Sequence, residues 1–390
     1  MLPVSEPLLE GNELNYLRDC IDSGWISSGG TFVARFEQAW AEYCGRTYGV
    51  AVANGTAALQ LAVEALSLAP GDEVVIPSFT IISCALAVLR AGAKPVVVDS
   101  DPETFCIDLE KIASAITPRT RAIMPVHIYG HPVDMDPLLE LAERWGIDVI
   151  EDAAQAHGSE YLLGRGGQEV WRRCGSFGTI SIFSFYANKI ITTGEGGMVM
   201  TNREDLAERC RSLRNLCFQS RRFYHEGLGY NYRLTNMQAA IGVAQLERIA
   251  DLLERKRRVG ELYDKLLADV PGIELPRKRD WARINRWMYS LVLGDEIALD
   301  ASEFAIELRA RGVDTRPFFM GLHEQPIFRS RGLFENTRLP VAERLTRRGI
   351  CLPSGPTLTP TQIEAISGTV REVVVSALRI RPDQRVRQWG

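Results

Sequence analysis

Between residues 50 and 200, short apolar runs alternate with stretches of helical spacing. No other feature of the chain restricts the fold as much. The runs fall at 50–53, 73–76, 95–98, 122–126, 148–150, 179–183 and 197–200. Apolar runs this short read as strands buried on both faces, and the helical stretches between them supply crossovers. The pattern predicts an α/β fold: a mostly parallel central sheet with helices on both sides. Helices are expected at 12–23 and 31–44, joined by a loop around Trp25-Ile26-Ser27-Ser28. A long helix is expected over 236–267, where Ala240, Val243, Ala244, Ile249, Leu252 and Leu253 recur at helical spacing. Pro271-Gly272 breaks the chain after it. A strand at 288–293 and helices at 301–311 and 361–378 then predict a smaller C-terminal α+β domain. A chain of 390 residues is long for one hydrophobic core. We expect residues 1–250 to form the large domain and 251–390 the small one.

Composition narrows the function classes. A net charge of −4 argues against a nucleic-acid binder. No apolar run approaches the ~20 residues of a membrane helix, and the N-terminus lacks the basic start and apolar core of a signal peptide. Eight cysteines form no CxxC pair and the five histidines do not cluster, so no metal site is expected. The cysteines read as reduced thiols of a cytoplasmic protein. The run Arg255-Lys256-Arg257-Arg258 fits a solvated helix face or a phosphate-facing patch.

Three places carry chemistry. Lys189 follows the strand at 179–183, five residues after Ser184 and just before Thr192-Thr193-Gly194-Glu195-Gly196-Gly197. A lysine at a strand end, backed by a glycine-rich turn, suits an amine meant to form a Schiff base. Partial desolvation would keep some of it neutral. A surface lysine in a loop is the other reading of these residues. Asp152 follows the strand at 148–150, at the end where open α/β sheets place their ligands. It is equally suited to capping the next helix. Glu151 points the other way if the strand alternation continues. Finally, 50–53 leads through Asn54 into Gly55-Thr56-Ala57, a strand–turn–helix whose free N–H groups suit a phosphate. The Thr56 hydroxyl also serves as a plain helix cap.

The segments Asn54 to Leu59, Pro77-Ser78-Phe79-Thr80, Glu151 to Gly158, Ser184 to Lys189, Gly194 to Gly197 and Gly229 to Asn236 occur in register. Together they resemble the DegT/DnrJ/EryC1/StrS aminotransferases over nearly the whole chain. The resemblance implies a fold-type I enzyme using pyridoxal 5'-phosphate, with pyridoxamine 5'-phosphate as its aminated form. Lys189 would carry the cofactor and shuttle protons, while Asp152 would pair with the ring nitrogen. Gln155 would meet the ring hydroxyl. Gly55, Thr56, Ala57 and Ser184 would hold the phosphate. Asn231, or Arg233 in its place, would reach the phosphate of a neighbouring subunit. Ile81 stands where relatives usually carry an aromatic residue stacked on the ring.

For substrate, the resemblance points to Trp25, Ser27 and Ser28 in the N-terminal loop, with core packing as the other use of Trp25. It also points to His323, and to Arg316 at a donor carboxylate or sugar phosphate. Glu195 would brace the turn or meet a substrate hydroxyl. The implied partners are L-glutamate and a nucleotide-linked 4-keto-6-deoxysugar. GDP-4-keto-6-deoxy-D-mannose comes first, and a UDP- or dTDP-linked keto-sugar is the alternative. A homodimer or higher oligomer with shared sites is implied. Dehydratases of the family carry histidine for the lysine, so Lys189 argues against them. A ligand-sensing regulator would need a DNA-binding module that the residues before the first motif are too few to form. Two departures remain: residues 161–173 exceed the usual short hairpin and suggest a mobile glycine-rich loop, and a basic, poorly ordered tail is expected after residue 376.

Overall fold

The computed structural model describes residues 1–218, 221, 223–275 and 277–378. The basic tail from residue 379 onward lies outside the described residues. Nine strands come first in the chain: β1 (Tyr48–Val52), β2 (Glu73–Pro77), β3 (Lys94–Val98), β4 (Thr120–Ile123), β5 (Asp148–Asp152), β6 (Glu160–Leu163), β7 (Val170–Arg173), β8 (Ile180–Ser184) and β9 (Gly197–Thr201). Seven of them form the central sheet in the order β1-β9-β8-β5-β4-β2-β3. β9 runs antiparallel to both neighbours, and every other pairing is parallel. β2 and β9 are buried along their whole length, which explains their unbroken apolar runs. The strand expected at 122–126 ends at Ile123. Pro125 has no N–H for the ladder, although Val126 still bridges Asp152.

Two other expectations need correction. Residues 161–173 are not an unpaired loop. β6 and β7 pair as a hairpin through Gly164 and Gly166, both at positive φ, and β11 (Ala282–Arg283) adds a third strand. Rings and cations hold this small sheet: the Arg283 guanidinium lies 3.9 Å from the Trp171 ring, and Arg165 covers Trp281 at 5.3 Å. The single helix expected over 236–267 is two, Asn236–Glu247 and Ile249–Leu267. Arg248 breaks it with φ −109° and ψ 7°. The second helix starts on the first core with Ile249 and Leu252 and reaches a second core from Val259 onward.

That second core surrounds another sheet. With β10 (Ile273–Glu274), β12 (Tyr289–Leu293), β13 (Arg316–Pro317) and β14 (Gly349–Leu352), its order is β10-β12-β14-β13, all antiparallel. Tyr263, Phe304 and Ile366 from three helices pack on it. In the first core, Trp40 meets Phe183 and Phe185 edge-on at 4.9 and 5.2 Å. This cluster lies under the end of β8, so it fixes where the segment carrying Lys189 begins. Truncating such a ring to Ala costs about 3–5 kcal/mol. Among the described residues, no helix is long and apolar enough to cross a membrane, and all eight cysteines are free and buried.

Candidate active site

A cavity of about 580 Å³ opens at the C-terminal ends of β5 and β8. This is the end where parallel sheets gather ligands. β5 delivers Asp152, which is only 1% exposed. Its Oδ1 accepts the Ala154 N–H at 3.0 Å and its Oδ2 accepts the Cys84 thiol at 3.4 Å. Burial pushes the carboxyl above the usual range; the Ala154 N–H, Cys84 and the Lys189 charge oppose that. The preceding residue faces away, as the alternation predicts. Glu151 accepts from His127 Nε2 (2.9 Å) and from the N–H groups of Gly175, Phe177 and Gly178. Cys174 lies close enough to His127 and Glu151 for the three to surround a cation. With its lone pairs already taken up, the Glu151 carboxylate acts as a hydrogen-bonded brace.

β8 ends at Ser184, and the segment beyond it folds back through its threonines. Thr192 Oγ1 donates to the Phe185 carbonyl at 2.9 Å and accepts the Gly194 N–H at 2.8 Å. Gly194 sits at φ 79°, a conformation glycine adopts without penalty. The Lys189 N–H closes a turn onto Tyr186 O at 2.9 Å. The side chain then enters the cavity, and its Nζ rests 3.6 Å from the centre of the Trp287 ring. Burial lowers its pKa to about 7; Asp152 opposes the shift and Arg316 adds to it. The amine is therefore substantially neutral near pH 7, as a nucleophile must be.

The helix Gly55–Ala65 points its N-terminus at the same cavity. A Cβ on Gly55 would stand 2.7 Å from Ser184 Cβ, so only glycine lets this helix meet β8 so closely. Gly55 and Thr56 occupy the first turn, where N–H groups have no helical acceptor. The Ala57 N–H, expected at a phosphate, is instead taken by the Asn54 cap at 2.8 Å. Thr56 Oγ1 lies 2.9 Å from Ser83 Oγ, which puts two hydroxyls side by side.

Other expected residues divide into those in this chain's cavity and those outside it. Gln155, Ile81, Glu195 and Arg316 line it. Gln155 Oε1 accepts the Tyr129 N–H at 2.7 Å. Glu195 is gripped through its carbonyl by Thr193 Oγ1 (2.7 Å) and Gln238 Nε2 (2.8 Å). Trp25, Ser27, Ser28, Asn231 and His323 are not among the lining residues. Trp25 is 60% exposed, so it does not pack in the core. Its loop is pinned to the start of the helix Asn236–Glu247: Asn236 Nδ2 donates to Trp25 O (2.7 Å) and the Asn236 N–H to Ser27 O (2.6 Å). Asn231 is exposed and accepts from Arg233. His323 is 1% exposed; its Nδ1 pairs with Ser78 Oγ at 2.7 Å and its Nε2 lies 3.5 Å from Glu343. It clamps the 318–324 segment to the end of β2 rather than facing the cavity.

Sequence reasoning missed Asn54, Ser83, Tyr129, Trp287 and Phe319 on the wall, and Cys84 behind it. Asn54 carried a usable signal, an Asn immediately before a helix. Tyr129 did not: its φ of 50° and its ring, parallel to Phe319 at 5.7 Å, depend on packing.

These residues fit pyridoxal phosphate. A buried carboxylate suits a ring nitrogen, a partly neutral lysine suits an aldehyde, and a helix N-terminus with three hydroxyls suits a phosphate. Comparison with known proteins agrees. The DegT/DnrJ/EryC1/StrS aminotransferase family matches residues 7–371. The GDP-perosamine synthase of Caulobacter vibrioides is 43% identical over 376 residues, covering 96% of this chain and 98% of that protein. That of Escherichia coli O157:H7 is 41% identical over 372 residues, covering 95% and 98%. Among solved structures, DesV of S. venezuelae superposes with a TM-score of 0.85 at 37% identity, covering 95% of each chain. The sugar aminotransferase Spr1654 of Streptococcus pneumoniae, solved in PLP and PMP forms, gives TM-scores of 0.90 and 0.89 at 26% identity, covering 97% and 96% of this chain and 100% and 98% of those chains. The chain belongs to the DegT/DnrJ/EryC1/StrS aminotransferase family.

Proposed function

We propose that the protein moves the amino group of L-glutamate to C4 of a nucleotide-linked 4-keto-6-deoxysugar, with GDP-4-keto-6-deoxy-D-mannose as acceptor and GDP-perosamine as product. The aminotransferase class rests on one observation above the others: Lys189 and Asp152 converge in a single cavity, the first held near neutrality and the second buried. The choice of sugar rests on the GDP-perosamine synthases at 38–43% identity over nearly the full length.

Pyridoxal phosphate, when bound, supplies an aldehyde that exchanges amines and a ring that accepts electrons from the substrate carbon. The protein's own groups do the rest. Asp152 keeps a proton on the ring nitrogen through its negative charge, which the Ala154 N–H and the Cys84 thiol help to hold. Lys189 Nζ takes the proton from Cα of glutamate and, in the second half-reaction, delivers one to the sugar C4. Gly55, Thr56, Ser83 and Ser184 anchor the phosphate. Arg316, with its forked donors, takes the glutamate carboxylate or a sugar phosphate. Trp25, Ser27, Ser28 and His323 lie off this chain's cavity, so a direct contact with substrate from them needs a second subunit or a loop movement. The protein is read as a cytoplasmic homodimer, dividing into two domains near residue 250.

A panel of GDP-, UDP- and dTDP-linked keto-sugars, each incubated with glutamate and read by mass spectrometry, tests the proposal. The GDP-linked 4-keto-6-deoxymannose should gain an amino group fastest. Faster amination of a dTDP- or UDP-linked sugar would replace the acceptor and leave the aminotransferase reading standing.

A further inference from the structure

The reactive amine faces an aromatic ring tied by its own indole N–H to the segment that carries the amine. Trp287 is 5% exposed, and the Lys189 ammonium lies 3.6 Å from its centroid. Its indole Nε1 donates to the carbonyl of Asn188, the residue before Lys189, at 2.7 Å. Its N–H donates to Asn285 Oδ1 at 2.9 Å, and its carbonyl accepts from Lys256 Nζ at 2.7 Å. Lys256 is itself 3% exposed and donates also to the Ser354 carbonyl. The two main-chain bonds hold the backbone of Trp287, and the Nε1 bond ties the indole itself to the residue before Lys189. Together they fix the angle of its face toward Lys189.

We infer that Trp287 is a positioning residue for Lys189: its indole face is the seat on which the free ammonium rests whenever the lysine is not bonded to cofactor. The inference builds on the reading of Lys189 as the reactive amine. Two other charges face that amine: Asp152 at the end of β5 attracts it and Arg316 on β13 repels it. Lys256 contacts the Trp287 carbonyl. An aromatic face stabilises the charged form, so it offsets part of the lowering that burial imposes.

The test is the titration of Lys189 in the full-length, cofactor-free protein. It is followed by competitive acetylation across pH, with the Lys189 peptide quantified by mass spectrometry and the other lysines as internal references. Trp287→Leu keeps an apolar bulk and removes the ring. Its Lys189 midpoint should fall by about one pH unit, a tenfold change within the range of a desolvated cation–π contact. Trp287→Phe, whose ring binds a cation less strongly, should fall by about half as much, and it keeps the test available if the Leu variant does not fold. An unchanged or higher midpoint in the folded variants overturns the inference, because a purely structural tryptophan would leave Lys189 titrating as before. Failure of the underlying reading looks different: borohydride would then fix the cofactor to a residue other than Lys189 in the parent protein.

Discussion

At the scale of single residues, the site sets two opposite demands on ionisable groups, and burial serves only one of them. Desolvation disfavours charge on either group. It lowers the pKa of Lys189 to about 7 and raises that of Asp152. For the lysine, the shift frees an electron pair. For the aspartate it is a liability, held in check by the Ala154 N–H and the Cys84 thiol. Lys189→Ala should abolish turnover and leave the thermal midpoint within about 2 °C, because the side chain projects into a cavity and supports little of the core. Borohydride treatment of the parent should fix the cofactor to Lys189 and give no adduct in the variant. Normal turnover without the lysine would remove the assignment. Asp152→Asn should keep the cofactor but lose on the order of a hundredfold in kcat, about 3 kcal/mol of barrier, as when a strong electrostatic contact at a transition state is lost. Steady-state kinetics with cofactor content measured in parallel would detect it. Loss of cofactor with kcat per bound cofactor unchanged would make the residue an anchor only. Both residues were legible in the sequence, since each sits at a strand end inside a local motif. Trp287 was not: it docks against Asn188 across 99 residues of chain, and no local pattern announces such a contact.

At the scale of elements, the strands of the central sheet were legible because burial leaves short, nearly unbroken apolar runs. The corrections fall where a local signal meets a tertiary demand. Helical spacing runs through Arg248 without interruption, yet the helix breaks there; beyond the break Ile249 and Leu252 still pack in the first core, and Val259, Tyr263 and Leu267 in the second. Glycines at 164 and 166 read as loop, yet they form the turn of a hairpin that a distant strand completes. The junction of the helix Thr31–Cys44 with β8 has a further consequence for acid stability. His157 sits between Trp40, Phe183 and Phe185, with ring centres 5.2–5.7 Å away, and both of its ring nitrogens lack a hydrogen-bond partner. Burial lowers its pKa from 6.5 to about 3, with the Lys189 charge adding to the shift. Between those values the unfolded chain binds the proton and the folded chain does not. Stability from this group is therefore complete above pH 6.5 and is lost as the pH falls toward 3. From pH 7 to pH 5 the loss should be about 2 kcal/mol. His157→Phe removes the titration and should retain about that much more of its neutral-pH stability at pH 5, read by urea denaturation at both pH values. Equal losses in parent and variant would show that the imidazole is charged or solvated in the folded protein.

At the scale of the whole molecule, the two sheets meet over the cavity: β5 and β8 supply Asp152 and Ser184, and β13 supplies Arg316. The alternation of strands and helices foretold the central sheet; of the second sheet only the strand at 288–293 was read, and nothing local says how one sits on the other. That depends on buried contacts such as Trp287 Nε1 with the Asn188 carbonyl and Asn285 Nδ2 with the Gln155 carbonyl. Of the expected cofactor contacts, Asn231 has no place in this cavity. Asn231 is exposed, in a segment where Leu228 is 94% and Tyr224 50% exposed. Exposed apolar side chains beside a polar one suit a surface covered by a second copy of the chain, with Asn231 completing the phosphate site of that copy. The consequence is genetic complementation between subunits. Lys189→Ala and Asn231→Ala homodimers should both be crippled, the second chiefly in cofactor affinity. Subunit exchange between them yields hybrids in which one site carries both lesions and the other carries neither. Activity should recover to about half of the parent value per hybrid dimer. Native mass spectrometry would count the hybrids. Crippled parents with confirmed hybrids and no recovery would place Asn231 in the site of its own chain and dismiss the shared-site assembly.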